Sequence, residues 1–197
     1  KTQKGAWAAM VAVWIAGIVM AIAQYKVSGV LVVMQEDFGC DSATIGFIQG
    51  VFTFTGLILA FPGVSLLRKL GAKNLILIAL ICTIVGGVIG FFSYSIGLMI
   101  FSRVVEGLGL GVIGVIAPAT IAMWFPIQKR GAPMGLWSCW QMVGISVCFF
   151  TGMPLIAAFG TWRALWIFGV ICLVIGFIIA LIFVKEPPKE SNYADVH

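Results

Sequence analysis

Two charged residues with helical spacing lie well inside a long apolar run and are the strongest candidates for chemistry. Arg103 and Glu106 are three positions apart, so on a helix both side chains share one face within pairing distance. A charge at the centre of a bilayer costs about 2.5 to 3.5 kcal/mol, so such residues usually face a partner or a cavity. The spacing therefore predicts either a structural ion pair, or a protonatable Glu106 whose charge an arginine controls, as proton-coupled transport requires.

A third charge, Lys26, also lies inside an apolar run, with Gln24 and Tyr25 beside it as hydrogen-bonding groups. It has no carboxylate at helical spacing in its own run, so we expect an unpaired lysine that faces a watery cavity and attracts anions. Snorkelling of the amine to an interface about 10 Å away is the alternative. Gln49 and Gln141 are lone polar residues in other apolar runs, where each would contact solute or join neighbouring helices.

The composition shows which elements must position these residues. Of 197 residues, 61% are apolar and 10% are charged, against about 45 to 50% and 25% in soluble domains, which excludes an ordinary soluble enzyme. Six apolar runs are long enough to cross a bilayer about 30 Å thick. They cover residues 7–33, 43–66, 75–94, 96–124, 134–158 and 163–184. The sequence predicts an all-α membrane protein with six transmembrane helices.

The remaining composition excludes several partners and chemistries. The net charge is +5, but the basic residues form short clusters between apolar runs, where topology and anionic lipid explain them better than nucleic acid does. The one histidine is His197, so no imidazole-based catalytic or metal site is expected. The five cysteines are scattered without a C-x-x-C pair, which favours buried thiols. We expect no enzyme activity, no metal and no cofactor.

Charged residues between the spans predict the orientation. By the positive-inside rule the basic side of the bundle is cytoplasmic, and both termini lie on that side. The expected location of the protein is the plasma membrane. The basic residues on that side are Lys1, Lys4, Arg68, Lys69, Lys73, Lys129, Arg130, Lys185 and Lys189. The opposite side carries Glu36, Asp37 and Asp41, with Arg163 as a basic exception. The bundle is predicted to cover residues 1–184, and residues 185–197 to begin a cytoplasmic linker.

Small residues recur at helical spacing inside the spans. Helices in lipid associate through small residues that allow their backbones to approach closely, so these glycines are expected to pack the bundle. The pairs are Gly46 with Gly50, Gly86 with Gly90, and Gly107 with Gly111.

Two motifs are similar to those of the major facilitator superfamily of transporters. The fourth span, from Arg103 to Gly109, resembles that family's R-x-x-Q-G-x-G motif, with Glu106 where glutamine is common. The loop between the second and third spans resembles the family's G-x-x-x-D-R-x-G-R-R motif. Its matching positions are Gly63 near the first glycine, then Lys69, Gly71 and Lys73, whereas Arg68 stands at the aspartate position.

This resemblance implies a fold and a function. The family fold is two six-helix halves, each made of two three-helix inverted repeats, with a small-molecule substrate near the midplane. The chain is then an amino-terminal half that pairs with a second six-helix half in the same or another chain. Anion carriers of the family often hold a basic residue in the middle of helix one, so Lys26 implies a small organic or inorganic anion. The expected solute contacts are Lys26, Gln24, Tyr25, Gln49 and Gln141.

Two other functions stay open from the sequence. The first is a structural or assembly half-module without transport activity of its own. The second is half of a drug or cation exporter. The fifth span lacks the G-P-x-x-G-G pattern that drug and proton antiporters carry. This favours the secondary active transporter of an anion, working by alternating access.

Overall fold

The structure is a computed structural model that describes residues 5–185, and nearly all of this range is helical. Its α-helices are α1 (Ala6–Gly29), α2 (Leu31–Phe38), α3 (Ser42–Leu70), α4 (Ala72–Phe91), α5 (Ile96–Trp124), α6 (Gly131–Ser138), α7 (Trp140–Phe159) and α8 (Arg163–Phe183). Within this range six segments are long and apolar enough to cross a membrane, with α6 and α7 together forming the fifth. The predicted all-α architecture is confirmed. Lys1, Lys4, Lys189, His197 and the predicted linker beyond Lys185 lie outside the described residues.

The first predicted span is interrupted near its end. It was expected as one helix over residues 7–33, but α1 ends at Gly29 and the chain continues as α2 after Val30. Glycine forms helices poorly, and Gly29 lies where α1 meets α7: a Cβ at this position would be 3.5 Å from the carbonyl oxygen of Cys148. The last turn of α1, which carries Lys26, therefore lies against α7.

The third and fifth spans begin three residues earlier than predicted. Gly71 adopts a φ of 78°, which favours glycine, and the chain turns there directly into α4 at Ala72. The fifth span begins at Gly131 and breaks at Cys139 between α6 and α7. These shifts leave the number and order of the spans unchanged.

Side-chain caps fix the points where two spans begin. At the start of α3, Asp41 Oδ1 accepts a hydrogen bond from the Thr44 N–H at 2.9 Å. Hydrogen bonds from the Thr44 side chain and N–H hold the pKa of the Asp41 carboxyl below its usual value. At the start of α5, Ser95 Oγ accepts from the Leu98 N–H at 3.3 Å. The two capping residues, Asp41 and Ser95, lie in loops at the same end of the bundle.

The packing of the spans shows an internal repeat. Helix α5 packs against α3 and α4, and α1 packs in the corresponding way against α7 and α8, while α1 meets α5 and α4 meets α8. The same set of contacts results when the first, second and third spans are exchanged with the fourth, fifth and sixth spans. Because each repeat has an odd number of spans, the second repeat enters the membrane from the opposite side. The two three-helix inverted repeats are therefore present.

The glycine pairs divide into packed and open ones. A Cβ on Gly86 would lie 2.5 Å from Glu106 Cγ, and one on Gly111 would lie 3.0 Å from Gly56 Cα, so α4 and α3 approach α5 closely at these positions. By contrast, a Cβ on Gly46 or Gly50 would have no neighbour within 4 Å among the described residues. The prediction that this pair packs the bundle is wrong, because both glycines face away from the other helices of the chain.

Candidate functional site

The centre of the bundle holds three charged side chains at the crossing of α1 and α5. Lys26 comes from the last turn of α1, and Arg103 and Glu106 come from α5, and all three are fully buried. Glu106 Oε1 accepts a hydrogen bond from Lys26 Nζ, and its Oε2 accepts one from Arg103 Nη1 at 2.5 Å. We call Lys26, Arg103 and Glu106 the charge cluster. It contains the Arg103–Glu106 contact that the spacing predicts.

The expectation of an unpaired Lys26 that faces a watery cavity is wrong. Its ammonium has no exposed surface and pairs with Glu106, which lies 80 positions further along the chain. The spacing argument considered only carboxylates on the same helix, whereas the partner comes from α5. The bundle therefore offsets the burial of this lysine by an ion pair between helices.

Each cation of the charge cluster also lies over an aromatic ring. Lys26 Nζ is 4.4 Å from the centroid of the Trp166 ring on α8, and Arg103 Cζ is 4.2 Å from the centroid of the Phe52 ring on α3. These rings were missed from the sequence, because nothing in their local pattern distinguishes them from other apolar residues. Knowledge of which helices pack together is needed to find them.

Arg103 is also bonded to the backbone of α1. Its Nη1 donates to the Ala23 carbonyl oxygen at 2.9 Å, and its Nη2 donates to the Gln24 carbonyl oxygen at 3.0 Å. Its Nε is buried and has no hydrogen-bond partner among residues 5–185. Arg103 therefore keeps two partners that do not depend on Glu106, whereas Lys26 depends on Glu106 and the Trp166 ring.

Two glutamines lie beside the charge cluster, and we call Gln24 and Gln49 the amide pair. Gln49 Nε2 donates to the Gln24 carbonyl oxygen at 2.9 Å, and Gln24 Nε2 donates to Thr53 Oγ1 at 3.3 Å. The Oε1 atoms of both glutamines are buried and have no hydrogen-bond partner in the part of the chain that the structure describes. Because Thr53 is exposed, the hydrogen bonds of the amide pair connect the buried charge cluster with the exposed face of α1 and α3. Unpaired buried acceptors of this kind favour a ligand that carries donors.

Tyr25 and Gln141 are not brought into this arrangement. Tyr25 is partly exposed and packs with apolar side chains, because the residue after Gln24 points about 100° away around the helix. Gln141 makes no hydrogen bond within the described residues. Cys148 packs beside the last turn of α1. Gln141 lies two helical turns before Cys148 on α7, which is about 10 Å along the helix.

The predicted loop motif lies at the junction of α3 and α4. Gly63 is buried and faces Val115 of α5, since a Cβ there would be 3.6 Å from Val115. Arg68 and Lys69 are exposed in the last turn of α3, where basic side chains favour the negative end of the helix dipole. Gly71 forms the turn and Lys73 begins α4. The motif therefore has a structural role at this junction, at a distance from the charge cluster.

A second ionic group joins the loops at the end of the bundle where α2 lies, and we call it the loop clasp. Asp37 Oδ2 accepts from Trp162 Nε1 at 2.7 Å and from Arg163 Nη1 at 3.2 Å. Arg163 Nη2 donates to the Ser93 carbonyl oxygen at 2.8 Å, and its guanidinium lies over the rings of Trp162 and Tyr94. This group connects α2, the loop after α4 and the start of α8.

Comparison with known sequences gives a consistent result. A sequence model described as Major Facilitator Superfamily matches residues 13–196. The chain is similar to the sugar transporter ERD6-like 2 of Arabidopsis thaliana, at 29% identity over 79% of this chain and 32% of that protein. It is similar to the probable galactarate/D-glucarate transporter GudP of Bacillus subtilis, at 28% identity over 81% and 36%. It is also similar to the galactose-proton symporter of Escherichia coli, at 24% identity over 89% and 37%.

Solved structures share the fold. The proton:xylose symporter XylE superposes with a TM-score of 0.83 at 16% identity, over 95% of this chain and 46% of that one. The human organic anion transporter MFSD10 gives 0.82 at 15% identity, over 96% and 50%. The chain spans about a third of the length of the curated relatives and about half of these solved chains.

Proposed function

Because the chain belongs to the major facilitator superfamily, a family of transporters and not of enzymes, we propose that it forms the amino-terminal half of a secondary active transporter. The solute is a small anion, and its movement by alternating access is coupled to protons. The solute site lies on the face of α1 and α3 that carries the amide pair, with the charge cluster behind it. Arg103 and Glu106 serve as the fixed charge pair of the coupling site.

The excess positive charge of the charge cluster is the observation that carries this proposal. Two buried cations share one carboxylate, which leaves one positive charge without a partner. An uncompensated charge in a medium of low dielectric is costly, so the site favours a state in which a negative charge is close by. An anion in the cavity supplies that charge, and electrostatic attraction at this range is stronger in the apolar bundle than in water.

The amide pair supports a solute that also carries hydrogen-bond donors. Gln49 must donate through Nε2, because the Gln24 carbonyl oxygen only accepts, so Gln49 Oε1 is left free as an acceptor. Gln24 likewise uses one of its two amide atoms. Tyr25 and Gln141 are proposed as outer contacts of the solute because both are partly exposed. The solute would then bind between an anion-attracting centre and a hydrogen-bonding rim.

A second six-helix half is proposed to close the cavity. Large apolar side chains on α3 and α7 are exposed, among them Phe54 at 64%, Phe61 at 81% and Phe150 at 82%. Gly46 and Gly50 lie open on α3 as well. Half-length coverage of the solved transporters supports a partner half that buries part of this surface.

The proposed orientation places the loop after α3 and the loop after α5 in the cytoplasm of the cell, with the protein in the plasma membrane. The basic residues Arg68, Lys69, Lys129 and Arg130 support it by the positive-inside rule. Single cysteines at Lys129 and at Ser95, in a background without other cysteines, test it. A membrane-impermeant maleimide applied to intact cells should label the cysteine at Ser95 and leave the one at Lys129 unlabelled, and the reverse pattern contradicts the orientation.

A neutral polyol is the competing solute, because several similar proteins are named as sugar or inositol transporters. The amide pair would accept hydroxyl groups equally well. A neutral solute supplies no negative charge to pair with the second cation of the charge cluster, and this favours the anion.

Uptake by the full natural protein in lipid vesicles distinguishes the two solutes. The probes are D-glucarate and sulfoacetate as anions, and D-xylose and myo-inositol as neutral polyols. We expect accumulation of at least one anion, its loss in the Lys26→Gln variant, and its retention in the matched surface variant Lys69→Gln. Accumulation of the polyols alone contradicts the anion, and accumulation of none of the four probes favours an assembly module.

A further inference from the structure

We propose that the proton which accompanies the solute is carried by the amine of Lys26, and that Glu106 stays ionised throughout the transport cycle. This inference rests on the proposed function and assigns the coupling proton within the same site. It differs from the expectation drawn from the Arg103–Glu106 spacing, in which the carboxylate takes the proton.

The charges of the cluster distinguish the two possible carriers. A proton added to Glu106 would leave two buried cations with no anion between them. Loss of a proton from Lys26 instead leaves Arg103 and Glu106 as a neutral pair. Arginine keeps its proton in proteins, so Lys26 is the cation able to give up its charge. Without an anionic solute, the neutral pair is the less costly buried state.

The contacts of the two cations are consistent with this assignment. Arg103 is held by the Ala23 and Gln24 carbonyl oxygens and lies over Phe52, so it stays in place whatever the state of Lys26. The amine of Lys26 has Glu106 as its hydrogen-bond acceptor and the Trp166 ring as its other close contact. Deprotonation of Lys26 therefore costs the cation–π contact with Trp166, whereas the contacts of Arg103 with α1 and Phe52 stay in place.

No other titratable group in residues 5–185 is better placed to take the proton. From α5 Lys26 faces Glu106 and Arg103, and from α7 it faces the thiol of Cys148, which donates to the Ile22 carbonyl oxygen at 3.9 Å. From α4 it faces Gly87, and from α8 it faces Gly169 and Trp166.

Coupling then follows from charge balance. When an anion and the water that accompanies it reach the charge cluster, the Lys26 amine takes one proton from that water, forming an N–H bond, and the restored positive charge offsets one negative charge of the solute. When the anion leaves on the other side, the ammonium returns that proton to water and the nitrogen keeps its lone pair. One proton moves with each anion in the same direction, and no oxidant, reductant or leaving group is involved.

Replacing Lys26 by cations with different proton affinities tests this carrier. The full natural protein is reconstituted in vesicles that contain a pH-sensitive dye, and uptake of D-glucarate is measured together with acidification of the lumen. Lys26→Arg keeps the positive charge but holds its proton, so the protons moved per anion should fall at least about tenfold while uptake persists. Lys26→His should keep the coupling and shift the pH of half-maximal uptake downward by more than about 1 unit, because imidazole holds its proton less tightly than an amine. Lys69→Arg is the matched surface control.

If the number of protons moved per anion is the same in Lys26→Arg as in the natural protein, the inference is overturned. The proton is then assigned to another group, with Glu106 the first candidate. If Lys26→Arg does not fold, Lys26→His decides, and an unchanged pH profile in that variant also overturns the inference. Absence of D-glucarate and sulfoacetate uptake by the natural protein contradicts the proposed function itself, which separates the two failures.

Discussion

The charge cluster and the loop clasp use the same interactions in different surroundings. In each, one carboxylate accepts from two donors, an arginine bonds to a backbone carbonyl oxygen, and a cation lies over an aromatic ring. The side chains of Lys26 and Glu106 are 0% exposed, whereas those of Arg163 and Asp37 are 17% and 45% exposed. The loop clasp contains one cation and one carboxylate, whereas the charge cluster contains a second cation.

This difference separates a structural ion pair from a site able to respond to a ligand. Solvent screens the loop clasp, and its charges balance, so it has no need of a further ion. The charge cluster is unscreened and carries an excess charge, so its energy depends strongly on protons and anions nearby. The candidate functional site is distinguished by its burial together with its number of charges, and not by the presence of an ion pair alone.

The largest expected effect is that of removing the shared carboxylate. Glu106→Gln leaves the buried Arg103, and Lys26 while it is protonated, without an anion and should lower the free energy of unfolding by about 3 to 5 kcal/mol. Thermal unfolding of the purified protein measures this effect. Asp37→Asn in the loop clasp is the matched control, and equal losses in both variants would break the comparison.

The tight packing around the charge cluster should give the next largest effect. A Cβ on Gly86 would lie 2.5 Å from Glu106 Cγ and 2.9 Å from the Ser102 carbonyl oxygen. One on Gly97 would have no neighbour within 4 Å among the residues that the structure describes. Gly86→Ala should destabilise the protein by about 1 to 3 kcal/mol, and Gly97→Ala should stabilise it slightly as alanine favours the helix. Thermal unfolding of the two variants checks the contrast. Similar shifts for both would show that α4 and α5 adjust without strain.

The loop clasp should contribute little and should respond to salt. Asp37→Asn removes a partly exposed ion pair, so it should cost about 1 kcal/mol or less. Measuring unfolding in about 50 mM and about 1 M salt checks the cause, because screening should shrink the difference between the natural protein and the variant. A loss that is large and independent of salt would place the loop clasp in the same class as the charge cluster.

The smallest effect is expected at Asp41, outside the membrane. Since its pKa is lowered in the folded protein, the charged carboxylate stabilises the fold above the pKa of the unfolded chain. This stabilisation should be lost as the pH falls through the folded value. Asp41→Asn keeps a capping side chain, so the difference in unfolding temperature from the natural protein should be present at neutral pH and vanish in acid. A difference that grows toward acid pH would contradict this sign.

The sequence predicts the fold better than the site. Apolar length predicts six spans, because a helix that crosses lipid must be predominantly apolar over about 20 residues, and this holds for every span. The Arg103–Glu106 contact is also predictable, since it lies within one helix. The partner of Lys26 lies 80 positions away, and the spacing within α1 contains no information about which helix packs against it.

The helix interruptions and the open glycines have the same origin. Gly46 and Gly50 have the spacing of a packed pair, but whether they face another helix depends on how α3 is rotated in the bundle. Gly29, at the end of α1, lies against α7, and the sequence of α1 does not show which helix will lie there. Local pattern predicts what a helix is able to pack against, and the tertiary arrangement selects which of these contacts form.

Ligand-induced stabilisation tests most directly whether the excess charge of the charge cluster binds an anion. Thermal unfolding of the full natural protein is followed with increasing D-glucarate, and with D-xylose for comparison, because a ligand that binds the folded state raises the unfolding temperature. The unfolding temperature should rise with D-glucarate and not with D-xylose, and the rise should disappear in Lys26→Gln, whose charge cluster is neutral. An equal rise in the variant, or a rise with D-xylose alone, would contradict this account.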